Sequence, residues 1–159
     1  MKRWLSKGTV LAAIVLPTLS GADVPVAPAD AHDGGNKCSL ETLKGQYLGP
    51  ASGTVFPPAF GVTEPAVSEA AGYSIFNGDG TGTDYVTFTV NGVIVIDRNV
   101  TPFTYTLNSD CTGTRTVSNG PQFVIYARFD GSAVNEIATA PAGFAVSAIA
   151  ERTGPPPER

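Results

Sequence analysis

The chain is poor in the residues that most often carry catalysis. It holds one histidine, one methionine, one tryptophan and two cysteines in 159 residues. With His32 alone there is no imidazole cluster for a metal, and a cysteine or serine nucleophile lacks its usual base. If the leader were cut after Ala31, His32 would become an N-terminal copper chelator, but that arrangement needs a second histidine, which is absent. Charge is sparse as well: ten Lys and Arg against fourteen Asp and Glu give a net charge of −4. Without a basic run, binding of nucleic acid or of an anionic membrane surface is not expected. No apolar run is long enough to span a bilayer. Phosphate-cradling loops, zinc spacings and the Gly-x-Ser-x-Gly elbow are also missing, so no cofactor is implied.

What is present begins with an export address. Lys2, Arg3 and Lys7 precede the short apolar run Val10–Leu16, and Ser20, Gly21 and Ala22 follow. This reads as a signal peptide over 1–22, with a second small-x-small site at Ala29-Asp30-Ala31. Residues 23–37 then form a leader, 38–152 a single domain, and the Pro-rich 153–159 a tail. The mature protein is expected to be secreted or periplasmic, without an integral membrane segment. In that oxidising setting Cys38 and Cys111 are expected to form one disulfide.

From Ala71 to Glu151 the chain alternates apolar and polar residues between Asn, Asp and Gly turns. Strands are expected over Gln46–Leu48, Val67–Phe76, Thr81–Val90, Val93–Asp97, Phe103–Leu107, Thr112–Val117, Gln122–Phe129, Ala133–Thr139 and Phe144–Ala150. Asn91-Gly92 is a type I′ hairpin signal, since that turn needs positive φ at both positions. Ser39 to Lys44 reads as one helical turn, capped by Ser39 and stopped by Gly45. Pro50 to Pro65 is expected to be a long loop packed over one end of the fold, as a lid or as a plug. The fold class is all-β, an antiparallel up-and-down meander of eight or nine strands. Tight hairpins favour closure into a calycin-like barrel, with a two-sheet sandwich as the alternative.

Three segments, Cys38-Ser-Leu-Glu-Thr-Leu-Lys-Gly-Gln-Tyr47, Tyr73-Ser-Ile-Phe-Asn-Gly-Asp-Gly80 and Tyr105-Thr-Leu-Asn-Ser-Asp-Cys-Thr-Gly-Thr114, resemble a group of small exported bacterial proteins without assigned activity. Gly45-Gln-Tyr47 after a short helix resembles the lipocalin start, with Tyr where lipocalins have Trp. The barrel proportions are similar to those of allene oxide cyclases and of polyketide-pathway barrel cyclases, none of whose motifs is matched. These likenesses imply a barrel and import no chemistry.

Two function classes follow. The first is a non-catalytic exported barrel that binds a small hydrophobic molecule or serves as a robust domain. The second is a cofactor-free cyclase or isomerase using one acid and one tyrosine inside the barrel. Glu69, Tyr73, Phe88, Tyr105 and Ile125 are the expected ligand-lining residues; Glu69 shares a face with Tyr73 and Ile75, and burial would raise its pKa. Asn77-Gly-Asp79-Gly-Thr81-Gly82-Thr-Asp84 resembles the first half of a calcium loop, but Phe88 stands where its bidentate acid belongs, so no metal site is expected.

Overall fold

The computed structural model describes residues 37–155. The expected signal peptide, most of the leader, His32 and the end of the tail lie outside the described residues. The alternation read from the sequence becomes nine strand segments: β1 (Gly45–Leu48), β2 (Ala51–Val55), β3 (Ala66–Phe76), β4 (Thr81–Val90), β5 (Val93–Leu107), β6 (Thr112–Val117), β7 (Gln122–Ala127), β8 (Ala133–Ala140) and β9 (Phe144–Gly154). From β3 to β9 each strand pairs antiparallel with the next in sequence. β1 and β2 both lie between β3 and β9 and close the sheet on itself. The fold is the expected closed meander rather than a sandwich, and closure leaves the sheet without free edges.

β1 and β2 act as one stave. Leu48 pairs with Tyr73 and Ala51 with Ala70, so the register against β3 carries straight across Gly49-Pro50. Pro50 lacks an N–H and cannot donate to the ladder, which accounts for the break. The barrel therefore has eight staves. This corrects the expectation for Pro50–Pro65, because Ala51–Val55 continues the first strand and only Phe56 to Pro65 forms the loop. A second correction concerns β5. Val93–Asp97 and Phe103–Leu107 belong to one 15-residue strand. Two irregularities against β4, beside Val86 and Phe88, take up the extra residues, and Arg98 stands nearby at φ 44°. At the C-terminal end, β9 runs to Gly154, four residues beyond the expected strand end at Ala150 and two beyond the expected domain boundary at 152.

The hairpins alternate between the two ends of the barrel. One end carries the turns after β3, β5 and β7, and it is closed by the 3-10 turn Leu40–Leu43. There the Ser39 N–H donates to Thr42 Oγ1 at 3.0 Å and the Thr42 N–H to the Ser39 carbonyl at 2.9 Å, and the Leu43 side chain is fully buried. Two of these turns share the pattern Asn-x-Asp-x-Thr-Gly-Thr. Asp79 Oδ1 accepts from the backbone N–H of Thr81 at 2.9 Å, and Asp110 Oδ1 from that of Thr112 at 3.0 Å. The Thr112 hydroxyl and N–H also hold the Asp110 carboxyl below the usual range. The fourth residue of the pattern adopts positive φ in both: Gly80 at 92° and Cys111 at 67°. Cysteine occupies a glycine-like position because it bonds Cys38, as expected, at a Cα–Cα distance of 5.0 Å. Asn91 and Gly92, at the other end, have φ of 49° and 76°, as the type I′ turn requires.

Inside, the half of the barrel next to the Leu40–Leu43 turn is filled. Phe76 packs edge-on against Tyr47, Phe103 and Tyr105 at centroid distances of 5.2, 4.9 and 5.0 Å. Phe103 lies over Gly82, its cross-strand partner, where a Cβ would collide with the ring.

The disulfide joins the turn that closes this end to the β5–β6 hairpin across 73 residues of sequence. Replacing both cysteines with serine should lower the unfolding free energy by about 4 kcal/mol on the chain-entropy model, read as a lower urea midpoint. Unchanged stability would mean that the Leu40–Leu43 turn docks without its tether.

Candidate functional site

Filling stops above the middle of the barrel. A cavity of about 240 Å³ occupies the other half, walled by residues that include Ala51, Ala70, Gly72, Val86, Val117 and Ala148. It exists because β2, β3 and β9 place small residues on their inner faces, where the remaining staves carry larger ones. At its mouth the Phe56–Pro65 loop turns in. Phe60, at φ 52°, lies 5.2 Å from the Phe88 ring and 5.8 Å from that of Phe144. It lines the cavity yet is 48 % exposed. The loop thus sits over one end of the barrel, as expected, and its Phe60 forms part of the rim.

The cavity wall carries an ion cluster that the sequence reading missed. Arg115 on β6 reaches Asp84 on β4 through Nη2 and Glu136 on β8 through Nη1. The Arg115 and Glu136 side chains are only 8 % and 5 % exposed. The Ser74 hydroxyl donates to Asp84 Oδ1 at 2.6 Å, so both carboxylate oxygens of Asp84 are engaged. The guanidinium lies near two aromatic rings, 4.6 Å from the Phe103 centroid and 5.1 Å from that of Phe123. Burial opposes the charge on Arg115, but the Glu136 and Asp84 carboxylates outweigh it and raise its pKa above the ordinary value. Two polar atoms of the cluster are left unpaired, Arg115 Nε and Glu136 Oε1. Asp84, Arg115 and Glu136 all line the cavity.

The expected lining residues divide. Phe88 lines the cavity. Tyr105 and Ile125 point inward but belong to the packed half, where Ile125 is fully buried. Glu69 is exposed, on the face opposite Ser68 and Ala70. That placement overturns the reading of Glu69 as an interior acid: β3 turns Ala66, Ser68, Ala70, Gly72 and Ser74 inward, so the alternation was right and the choice of inner face wrong. Tyr73 borders the cavity, but its ring stacks on Tyr85 at 4.5 Å, away from the inward Gly72 and Ser74. The charged cluster did leave a signal. Asp84 shares its face with the apolar Val86, Phe88 and Val90, and Glu136 shares one with Val134 and Ala138. Buried charge on an apolar stripe is rare unless paired.

Both interior tyrosine hydroxyls are taken. Tyr47 Oη donates to the Gly131 carbonyl at 2.5 Å and accepts from Arg152 at 2.9 Å, while Tyr105 Oη donates to the Leu40 carbonyl at 2.8 Å. They anchor the closed end. Within the stretch that resembles a calcium loop, Asp79 binds Thr81 and Asp84 pairs with Arg115 inside the barrel. Among the described residues no group of three or more His, Cys, Asp or Glu side chains is placed to hold a metal ion. Nor is any helix among them long and apolar enough to cross a membrane. Comparison with protein-family models, curated proteins and solved structures finds no match.

Two measurements test this geometry. Arg115→Met leaves two buried carboxylates without a cation and should cost about 3–5 kcal/mol of stability, seen in urea unfolding. Burial raises the pKa of Tyr47 and of Tyr105 above 10.0. Their contribution to stability is therefore complete below pH 10 and lost as pH rises through the folded values. Alkaline titration followed at 295 nm should show a late tyrosine phase coincident with unfolding, and Tyr105→Phe should remove part of it.

Proposed function

We propose that this chain is an exported, calycin-like barrel that binds a small, largely apolar molecule in its interior. The observation that carries the reading is the 240 Å³ cavity, open at the end away from the disulfide and walled mainly by apolar residues. A barrel that served only as a robust domain would gain by filling this space, because voids in a packed core cost stability. A cavity of ~150 Å³ accommodates benzene, so the present one suits a ligand of about ten non-hydrogen atoms. The disulfide fits an oxidising compartment and supports the secreted or periplasmic expectation.

The cyclase or isomerase alternative called for an acid and a tyrosine converging on the substrate. Glu136 is an acid on the cavity wall, but the Tyr47 and Tyr105 hydroxyls are bound to backbone carbonyls at the closed end. Binding without turnover is therefore the better-supported class.

The test separates hollow from filled. Native mass spectrometry of protein purified from its source should reveal a small retained adduct. In parallel, a naphthalene-based fluorophore should bind the wild-type protein, and Ala148→Leu, which fills the cavity, should weaken binding by at least about tenfold while leaving stability unchanged or higher. Equal dye binding by both proteins, with no adduct on the native one, would sink the proposal.

A further inference from the structure

The polar end of the cavity constrains what the ligand can be. The cluster holds two carboxylates against one guanidinium, so its formal charge is −1. Both oxygens of Asp84 are engaged, one by Ser74 and one by Arg115. Glu136 keeps one oxygen unpaired: Oε2 accepts from Arg115 Nη1, while Oε1 is buried and part of a residue on the cavity wall; Arg115 Nε is the other unpaired polar atom of the cluster. A buried acceptor without a donor is costly, and the cost disappears if a bound molecule supplies one. Asn99 and Thr101 of β5 and Ser118 and Asn119 of the β6–β7 turn line the same cavity, but among the described residues only Asp84, Arg115 and Glu136 bring charge to it.

Resting on the binding reading above, we infer that the ligand meets Glu136 with a hydrogen-bond-donating head, a hydroxyl or an ammonium, and that carboxylate-headed molecules are rejected. A carboxylate could accept from Arg115 Nε but brings no donor for Glu136, and it would stand beside a cluster already carrying excess negative charge in a site of low dielectric, where like charges repel most. The apolar remainder of a ligand of about ten non-hydrogen atoms lies against Ala51, Ala70, Val86 and Ala148. Selection by an unpaired buried group is the stronger kind of discrimination, since the wrong head leaves that group unsatisfied. A merely greasy cavity would rank the same molecules by hydrocarbon content alone.

Displacement of the fluorophore at pH 7 by decan-1-ol, decan-1-amine, decanoate and 1-methoxydecane tests the inference. The alcohol or the amine should bind at least about ten times more tightly than decanoate, and the tighter of the two identifies the donor. The methyl ether, which keeps the oxygen but loses the donor, should bind more weakly than the alcohol. Glu136→Gln, which removes the excess negative charge, should narrow the preference over decanoate. Decanoate equal to both donors, or an ether equal to the alcohol, overturns the head-group assignment and leaves the cavity intact as a binding site. Failure of all four to displace the dye counts against both readings. The wild-type comparison of alcohol with ether decides the matter even if Glu136→Gln does not fold.

Discussion

Arg115 is the interaction on which the interior is organised. Its guanidinium joins β4 to β8 through β6, three alternate staves of an eight-stave barrel. A closed meander contains only nearest-neighbour ladders, so nothing in its backbone hydrogen bonding holds strands that are not adjacent. The cluster does, and it does so near the boundary between the filled and the hollow half. Taking three charges out of water costs several kcal/mol per ion, and the attraction between them repays this only with good geometry. Replacing the triad with packed apolar side chains would be the simpler way to stabilise a barrel. Its retention beside a cavity is easier to understand if the charges also face something.

The other structural device is the closed end. One 3-10 turn buries Leu43, receives the Tyr105 hydroxyl at Leu40 and the Arg152 guanidinium at Thr42, and is tied to the β5–β6 hairpin by the disulfide. These contacts gather the N-terminal turn, β5 and β9 around a plug that keeps water from the packed half. With that end secured by side chains and a covalent link, the far half can remain open. A barrel of this length, hollow throughout, would have little core to stabilise it.

Much of this architecture was legible in the chain. Strict alternation from Thr81 to Val90, the Asn91-Gly92 turn and the parity of the cysteines each gave the right local answer, because each depends on short-range geometry. The misreadings came where a residue's meaning depended on distant strands. Pro50 looked like the start of a loop, yet a single missing donor can be skipped when both neighbours, β3 and β9, continue in register. Residues 98–102 fall between two expected strands, yet irregularities beside Val86 and Phe88 carry β5 past Arg98, and Pro102 pairs in register with Thr83. Glu69 was assigned to the interior because alternation defines two faces without saying which one curls inward.

That last ambiguity could have been resolved by weighing side-chain bulk against charge. The inner face of β3 carries Ala66, Ser68, Ala70, Gly72 and Ser74, which read as weakly polar and exposed, while the outer face carries Val67, Tyr73 and Ile75. A simple hydrophobicity rule picks the outer set and fails, because in a barrel that must leave space the inward residues are chosen for smallness as well as for apolarity. The same logic runs through Gly49 and Ala51 on the first stave and Ala148 and Ala150 on β9. Small residues concentrated on the inner faces of three adjacent staves, opposite Val86, Phe88 and Val117, are what a cavity looks like in sequence. Together with single charges set into the apolar stripes of β4, β6 and β8, they place the hollow and its polar wall in one half of the barrel. The arrangement argues that the space is specified by the chain rather than left over from imperfect packing.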